Sequence, residues 1–258
     1  MDALSAVFRW FHILAGIIWI GMLYFFNWVN GAFAATLDAE TKKKVVPELM
    51  PRALFWFRWG AAWTWVTGFV LLLLVFYHGG LMFDGDGRWT GGAIAMVVAT
   101  FLVTFVYDAL HKTFGKDPKV FGTIAFVGAA IMIVLMVKVG GFSYRAFNIH
   151  LGAMFGSMMA FNVWYRIWPA QQKIINAIKG GTPPEAALVA LAGSRSKHNT
   201  YMSLPLLWAM INQHTSAFSG GNFGIPAEYS FVVLLAVILL GWHVIFRFYK
   251  LSGKVKGF

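Results

Sequence analysis

Seven histidines are distributed along this chain of 258 residues, and most of them lie in or at the end of an apolar stretch. Ionisable side chains inside a bilayer are costly, so they are candidates for function. His12 and His150 each lie about two helical turns into their stretches from the same side of the membrane. Two neutral imidazoles that face each other across a helix bundle can hold the iron of a haem b without covalent attachment. The pattern favours one haem b, with His12 and His150 as ligands of its iron.

Four further residues could complete such a site. His78 and His214 end two other apolar stretches on the same side, and they form a candidate second haem site. Arg9 and Arg145 lie about one turn outside His12 and His150, where cations could pair with haem propionates. The alternative interpretation is structural: membrane histidines often form helix–helix hydrogen bonds, and arginines near helix ends extend to the interface.

Other catalytic chemistry finds little support in the sequence. The chain contains no cysteine, which excludes disulfides, iron–sulfur clusters and a covalent c-type haem. It has no Walker loop, no G-x-S-x-G and no H-E-x-x-H. Gly152 and Gly156, which follow His150, form a G-x-x-x-G face that admits either a neighbouring helix or a flat ring.

The composition predicts the elements that must position these residues. The chain is 59% hydrophobic and only 12% charged, which excludes an ordinary soluble protein. A membrane-spanning helix needs about 20 apolar residues. We therefore predict an all-α integral membrane protein, a single domain over residues 1–258 built as a bundle of about seven transmembrane helices. The predicted spans are residues 4–30, 53–77, 91–111, 120–139, 144–167, 200–217 and 228–248.

The basic residues predict the orientation. Placing the N-terminus outside and the C-terminus inside puts most of the 21 Lys and Arg residues on the inner side. The longest break, residues 168–199, then becomes a cytoplasmic loop with an amphipathic stretch (Gln171–Lys179) and a short helix over about 184–192. The membrane topology accounts for the clusters of basic residues. We therefore expect the lipid bilayer as a partner and expect no binding to nucleic acid. The expected location is the inner (cytoplasmic) membrane of a bacterium.

Two segments resemble a known family. The first runs from Arg9 through His12 to Asn27, and the second runs from Ser194 to His214. Together they resemble the membrane domain of the cytochrome-c-linked urate oxidase (urate hydroxylase) family, and the resemblance covers most of the chain. It implies oxidation of urate with transfer of the electrons to cytochrome c. The resemblance places five residues on family motif positions: His12, His198, Asn199, Tyr201 and His214.

Among these positions, His198, Asn199 and Tyr201 are the catalytic candidates. For Asn199 a structural alternative stays open, since asparagine at the start of span six is a favourable helix N-cap. The long form of the family adds a further span and a C-terminal c-type cytochrome. Because this chain ends soon after span seven without a cysteine, we expect a short form that uses a separate cytochrome c.

The sequence thus leaves two main functions open. The first is a haem-b-binding membrane oxidoreductase that oxidises urate or a similar heterocycle and reduces a periplasmic cytochrome c. The alternative is a non-catalytic haem-b or structural subunit of a larger membrane electron-transport complex. A transporter or structural protein without a cofactor is a third, more generic possibility.

Overall fold

The computed structural model describes residues 2–212, 215, 218 and 225–255, and within these ranges the regular secondary structure is helical, with no β-strand. The α-helices are α1 (Asp2–Tyr24), α2 (Gly31–Thr36), α3 (Ala39–Leu71), α4 (Gly91–Phe114), α5 (Pro118–Lys138), α6 (Tyr144–Phe161), α7 (Trp168–Lys179), α8 (Ala186–Ile211) and α9 (Phe231–Ser252). A short 3₁₀ turn, Ala227–Tyr229, precedes α9.

Three of these helices continue into a six-residue π-helical segment. The segments are Phe25–Asn30 after α1, Leu72–Tyr77 after α3 and Asn162–Ile167 after α6. A π segment is rare and occurs frequently at functional sites, because it turns side chains away from the direction that a regular helix gives them. Each of the three segments carries a polar side chain that belongs to one of the candidate sites described below.

Five helices are long and apolar enough to cross a membrane. They are Ala3–Thr36, Ala39–Tyr77, Gly91–Phe114, Pro118–Lys138 and Phe231–Ser252, and they overlap predicted spans one to four and seven. Predicted span five is helical throughout α6 and its π segment, and predicted span six extends beyond the described residues. The prediction of an all-α fold is confirmed for the described residues, and five helices could cross a membrane by length and composition, while the count of seven spans and their orientation stay predictions.

Side chains in the predicted breaks begin several helices. The hydroxyl of Thr90 accepts a hydrogen bond from the N–H of Ala93 at the start of α4, and Asp117 caps α5 in the same way. Before α3, Asp38 accepts hydrogen bonds from the backbone N–H and the hydroxyl of Thr41, which hold the pKa of this carboxyl below its ordinary value. These caps explain why the polar breaks were visible in the sequence.

The region 168–199 is mostly helical. The predicted amphipathic stretch lies within α7, but the predicted short helix at 184–192 is the first part of α8, which continues without a break to Ile211. The interpretation of Asn199 as a helix N-cap is therefore wrong, because Asn199 lies in the middle of α8. The side-chain amide of Asn199 forms hydrogen bonds to another helix. Because Asn199 is satisfied inside the protein, the polar residues around it do not end α8.

The chain divides into two compact units. Unit I comprises Phe69–Met158 and Leu204–Gly241, and unit II comprises Asp2–Gly68, Met159–Ser203 and Trp242–Phe258. The prediction of a single domain stays a prediction.

In both units, glycines permit close helix contacts. A Cβ atom on Gly152 of unit I would lie 3.0 Å from both the Cβ of Ala209 and the Cε of Met210. The glycine face after His150 thus admits a helix, α8. In unit II, a Cβ atom on Gly60 of α3 would lie 3.0 Å from the backbone nitrogen of Trp19 on α1.

Candidate functional site

His150 is fully buried in unit I and both of its ring nitrogens have partners. Nδ1 lies 2.7 Å from the carbonyl oxygen of Ala146, one turn earlier in α6, and Nε2 lies 3.0 Å from the phenol oxygen of Tyr77. The ring of Phe142 packs against the imidazole with centroids 4.8 Å apart. His150 therefore lies in an apolar setting with two directed hydrogen bonds.

The start of α6 is fastened to the loop that follows Tyr77. The hydroxyl of Ser143 donates to the carbonyl of Leu81, and it accepts from the N–H of Ala146 as the N-cap of α6. The backbone N–H of Ser143 also donates to the carbonyl of Met82. These bonds hold the first turns of α6 close to the end of the π segment and so bring Tyr77 to His150.

The partners of His150 determine its tautomer. A carbonyl oxygen can only accept, so Nδ1 carries the hydrogen that it donates to Ala146. In the neutral ring Nε2 then holds the lone pair, and Tyr77 donates its hydroxyl hydrogen to it. A histidine that binds a metal commonly donates its other N–H to a backbone carbonyl, as His150 does.

His12 is half-buried in unit II and shows the same arrangement. Its Nδ1 lies 3.1 Å from the hydroxyl oxygen of Thr67. That hydroxyl is 2.6 Å from the carbonyl of Trp63, to which it must donate. Nδ1 of His12 is therefore the donor to Thr67, and Nε2 again holds the lone pair.

Gly68 of α3 fixes the position of this imidazole. A Cβ atom at residue 68 would lie 2.9 Å from Cε1 of His12 and 3.4 Å from Nδ1. Only a glycine leaves room for the ring at this point. The close approach and the bond to Thr67 together hold His12 in one orientation.

The hydrogen bonds of His150 and His12 leave both rings in a form that fits the chemistry of a haem iron. Each imidazole is oriented through Nδ1 and presents Nε2 as the nitrogen with the lone pair, which is the form that binds a metal. In His150 the phenol of Tyr77 uses that lone pair, so the phenol and an iron compete for one nitrogen. Among the described residues, no group of three or more His, Asp and Glu side chains could hold a metal ion without such a cofactor.

The structure places the other four predicted cofactor residues as follows. His78 ends the π segment after α3 and is exposed. Arg9 and Arg145 are exposed on α1 and α6. His214 lies outside the described residues. The possible second site at His78 and His214 thus stays a prediction, as does the pairing of both arginines with propionates.

The catalytic candidates on α8 lie in unit II, where Asn199 belongs to a buried polar network. Nη1 of Arg195 donates to Oδ1 of Asn162 at 3.1 Å, and Nδ2 of Asn162 donates to Oδ1 of Asn199 at 2.8 Å. Nδ2 of Asn199 donates to the carbonyl of Met159 at 3.0 Å. The side chains of Arg195, Asn162 and Asn199 are at most 1% exposed, so the network joins α8 to α6 and its π segment in the interior.

Within unit II, the end of the first sequence motif meets the first part of the second. The hydroxyl of Tyr24 lies 2.9 Å from that of Ser203, and Nδ2 of Asn27 donates to the hydroxyl of Ser196 at 2.8 Å. Residues 24–27 of the first motif and residues 196–203 of the second are therefore in direct contact through α1, its π segment and α8.

Tyr201 and His198 are both half-buried on α8. The ring of Tyr201 stacks on that of Tyr249, with centroids 6.0 Å apart, and the hydroxyl of Tyr249 donates to Oδ1 of Asn27 at 2.8 Å. Tyr201 is thus next to the contact between the two motifs. The catalytic role of His198, Asn199 and Tyr201 stays a prediction.

Sequence reasoning missed several of these groups. Tyr77, Thr67 and Asn162 were not candidates, because tyrosine, threonine and asparagine carry no strong signal in an apolar helix. Arg195 lies in the region 168–199, which the basic residues predict to be a cytoplasmic loop, although its side chain is buried. The signal that could have identified it is its position inside the second motif, next to the catalytic candidates.

The fold and these sites define the class: in its described residues, an all-helical protein with five helices that could cross a membrane, with oriented histidines and a buried polar network. The chain belongs to the family described as urate oxidase N-terminal, whose model matches residues 37–257. The match includes His150 and the whole second motif, whereas His12 and the first motif precede it. No curated protein and no solved structure matches the chain.

Proposed function

We propose that this protein is a haem-b-binding oxidoreductase that oxidises urate, or a similar heterocycle, and reduces a separate cytochrome c. The site of electron transfer is the periplasmic face of a bacterial inner membrane. The family match over residues 37–257 carries the proposal, since it names the chemistry of urate oxidation. The tautomers of His12 and His150 support it, since both present Nε2 for a ligand.

The proposed reaction balances with one-electron acceptors. Oxidation of the urate monoanion by two electrons, with water as the source of the added oxygen, gives a neutral hydroxylated product and releases two electrons and one proton. Two molecules of cytochrome c each take up one of these electrons. Haem b, when bound, supplies a one-electron carrier between the two-electron donor and this one-electron acceptor. Residues 1–258 contain no cysteine and so hold no covalent c-type haem, and the proposal assigns the role of electron acceptor to a cytochrome c outside these residues.

The residues of this chain orient the ligands. The carbonyl of Ala146 and the hydroxyl of Thr67 each accept one Nδ1 hydrogen, which would leave Nε2 to hold a haem iron. Tyr77 supports His150 through Nε2 and would have to release this nitrogen to such an iron. In unit II, Arg195 and Asn199 support the helices that carry the second motif.

Spectra and turnover of the detergent-purified protein test the proposal. We expect the sharp bands of a six-coordinate b-haem after reduction with dithionite, and the same bands after addition of urate. Urate should also drive reduction of added cytochrome c, with two equivalents per urate. His12→Ala and His150→Ala should lose the six-coordinate spectrum.

The control is His243→Ala, which removes an exposed histidine from α9 and should leave the spectrum unchanged. Reduction by dithionite without any reduction by urate would support the alternative of a non-catalytic haem subunit. A protein without visible bands that also fails to take up added haem would exclude both functions.

A further inference from the structure

Asn148 of α6 is a fully buried asparagine whose side-chain amide has no hydrogen-bond partner in the part of the chain that the structure describes. Its relative exposure is 0%, and neither Oδ1 nor Nδ2 has a hydrogen-bond partner among the described residues. Buried amides in native proteins are almost always hydrogen-bonded, so each exception requires an explanation. Within the described part of the chain, Asn148 is the residue with two buried side-chain polar atoms that lack a partner.

A second polar atom without a partner lies on the same face of the helix. Tyr144 is one turn before Asn148 in α6, and its hydroxyl is also buried without a hydrogen-bond partner in the described residues. Side chains four residues apart are neighbours on a helix surface. The two residues therefore combine three unsatisfied hydrogen-bonding atoms within one turn of unit I.

The surroundings indicate that this arrangement is not an accident of loose packing. Gly152, one turn after Asn148, is in close contact with Ala209 and Met210 of α8. His150, two residues further along α6 than Asn148, satisfies both of its nitrogens. On the neighbouring turns, His150 has hydrogen-bond partners and Gly152 has no side chain to satisfy. By contrast, the polar atoms of Asn148 and Tyr144 have no partner among the described residues.

The chemistry of the amide identifies the kind of ligand. An asparagine side chain presents a carbonyl acceptor and an N–H donor side by side, and it recognises a partner with an N–H next to a C=O. Such a lactam edge is a feature of urate and of related oxidised purines. The amide of a buried asparagine can bind this edge through two parallel hydrogen bonds, as asparagine does with the edge of adenine in DNA.

We propose that Asn148 recognises the lactam edge of the heterocyclic substrate and that the hydroxyl of Tyr144 binds a further polar atom of the same ring. This proposal rests on the proposed function and deepens it, because it places substrate recognition on α6 within one turn of His150. It predicts a preference for flat heterocycles that carry an N–H next to a C=O. Asn148 is then a substrate-binding residue that the family motifs do not include.

The test compares Asn148→Leu with the wild-type protein, using urate and 1,3,7,9-tetramethylurate as probes. The tetramethyl compound has the same carbonyls but no ring N–H, so it lacks the lactam edge. In the wild type we expect urate, and not the tetramethyl compound, to raise the apparent unfolding temperature, since a ligand that binds the native state stabilises it. In Asn148→Leu this rise should disappear, and the KM for urate should increase by about tenfold or more.

The stability of the protein without substrate separates binding from a structural role. Leucine removes an unsatisfied buried amide, so Asn148→Leu should unfold at the same temperature as the wild type or at a higher one. The matched control is Asn162→Leu, which removes an equally buried asparagine with its hydrogen bonds and should unfold earlier. A fall in the unfolding temperature of Asn148→Leu comparable to that of the control would show that Asn148 is structural and would overturn the proposal.

The failures of the two proposals are distinguishable. If the wild type neither binds nor oxidises urate, the proposed function fails, and the assignment of Asn148 fails with it. If the wild type responds to urate and Asn148→Leu responds equally well, only the assignment of Asn148 is overturned. Equal binding of both probes by the wild type would also overturn it.

Discussion

The phenol oxygen of Tyr77 lies 3.0 Å from Nε2 of His150 and joins the end of one helix to the second turn of another. Because Nδ1 of His150 is held by the carbonyl of Ala146, Tyr77 occupies the only lone pair of the imidazole. The same nitrogen is the proposed ligand of a haem iron. If haem b binds as proposed, Tyr77 would therefore compete with its iron for Nε2 as well as support the histidine.

Replacing Tyr77 with phenylalanine should strengthen haem binding. Tyr77→Phe keeps the aromatic ring and removes the hydroxyl that competes for Nε2. Since such a hydrogen bond contributes about 0.5–1.5 kcal/mol, haem affinity should rise by up to about tenfold. Titration of the haem-depleted protein with haem b measures the affinity.

The control for this variant is Tyr229→Phe, which changes an exposed tyrosine of unit I. It should leave the affinity unchanged. A Tyr77→Phe protein that binds haem no more tightly than the wild type would show that iron and phenol do not compete for His150.

Replacing Gly68 with alanine should displace His12. The added Cβ atom would lie 2.9 Å from Cε1 of the imidazole, so the ring must move and lose its bond to Thr67. We expect haem affinity to fall about fivefold or more, the size of effect that overpacking produces. The matched control is Gly21→Ala on α1, where nothing lies within 4 Å of the new atom. Equal haem titrations for both variants would contradict the proposed role of His12.

The hydroxyl of Thr67 should contribute more to haem affinity than its methyl group. Thr67→Val removes the acceptor for Nδ1 of His12, whereas Thr67→Ser retains it. Loss of a group that orients a metal ligand typically lowers affinity about 10- to 100-fold. We expect Thr67→Val to show such a loss in the haem titration and Thr67→Ser to resemble the wild type. If serine and valine behave alike, the hydrogen bond does not orient His12.

The buried network around Arg195 should contribute to stability. Asn162→Leu leaves the guanidinium of Arg195 and the amide of Asn199 without a shared partner, and hydrogen bonds to buried charged groups contribute about 1.5–3 kcal/mol. The variant should lose roughly 2–3 kcal/mol of unfolding free energy, measured by chemical unfolding in detergent.

Asn30→Leu is the comparison for the network. Asn30 is half-buried, and its side chain makes a long contact of 3.7 Å to the sulfur of Met50. Its removal should therefore cost little. Equal losses in the two variants would mean that the network adds no more than an isolated polar contact.

Cysteine labelling can test the predicted orientation. Because the chain has no cysteine of its own, each introduced thiol is the single target. Asp86→Cys, in the exposed break before α4, should react with a membrane-impermeant maleimide in intact spheroplasts. Lys254→Cys, after α9, should react only after the membrane is permeabilised. Labelling of Lys254→Cys from outside would reverse the orientation or change the number of spans.

The sequence by itself determined the class of this protein and the positions of most helices. Hydropathy and the glycine, proline and aspartate breaks are local properties, and the caps at Thr90 and Asp117 act within their own turns. The family resemblance rested on residue types within short segments, and it is confirmed by the match over residues 37–257. Apart from the resemblance, the hydropathy pattern identified His12 and His150 as candidates, because a histidine in an apolar helix is conspicuous wherever it packs.

Only the tertiary structure decided what these residues contact. Tyr77 and His150 are 73 residues apart in the chain, and Tyr24 and Ser203 are 179 apart, so no local pattern links them. Asn199 resembled a helix N-cap because asparagine is favourable at that position. Its role inside a buried hydrogen-bond network depends on Asn162, which lies across the interior. Whether the side-chain amide of Asn148 has a hydrogen-bond partner also depends on the neighbours that packing supplies. Among the described residues it has none.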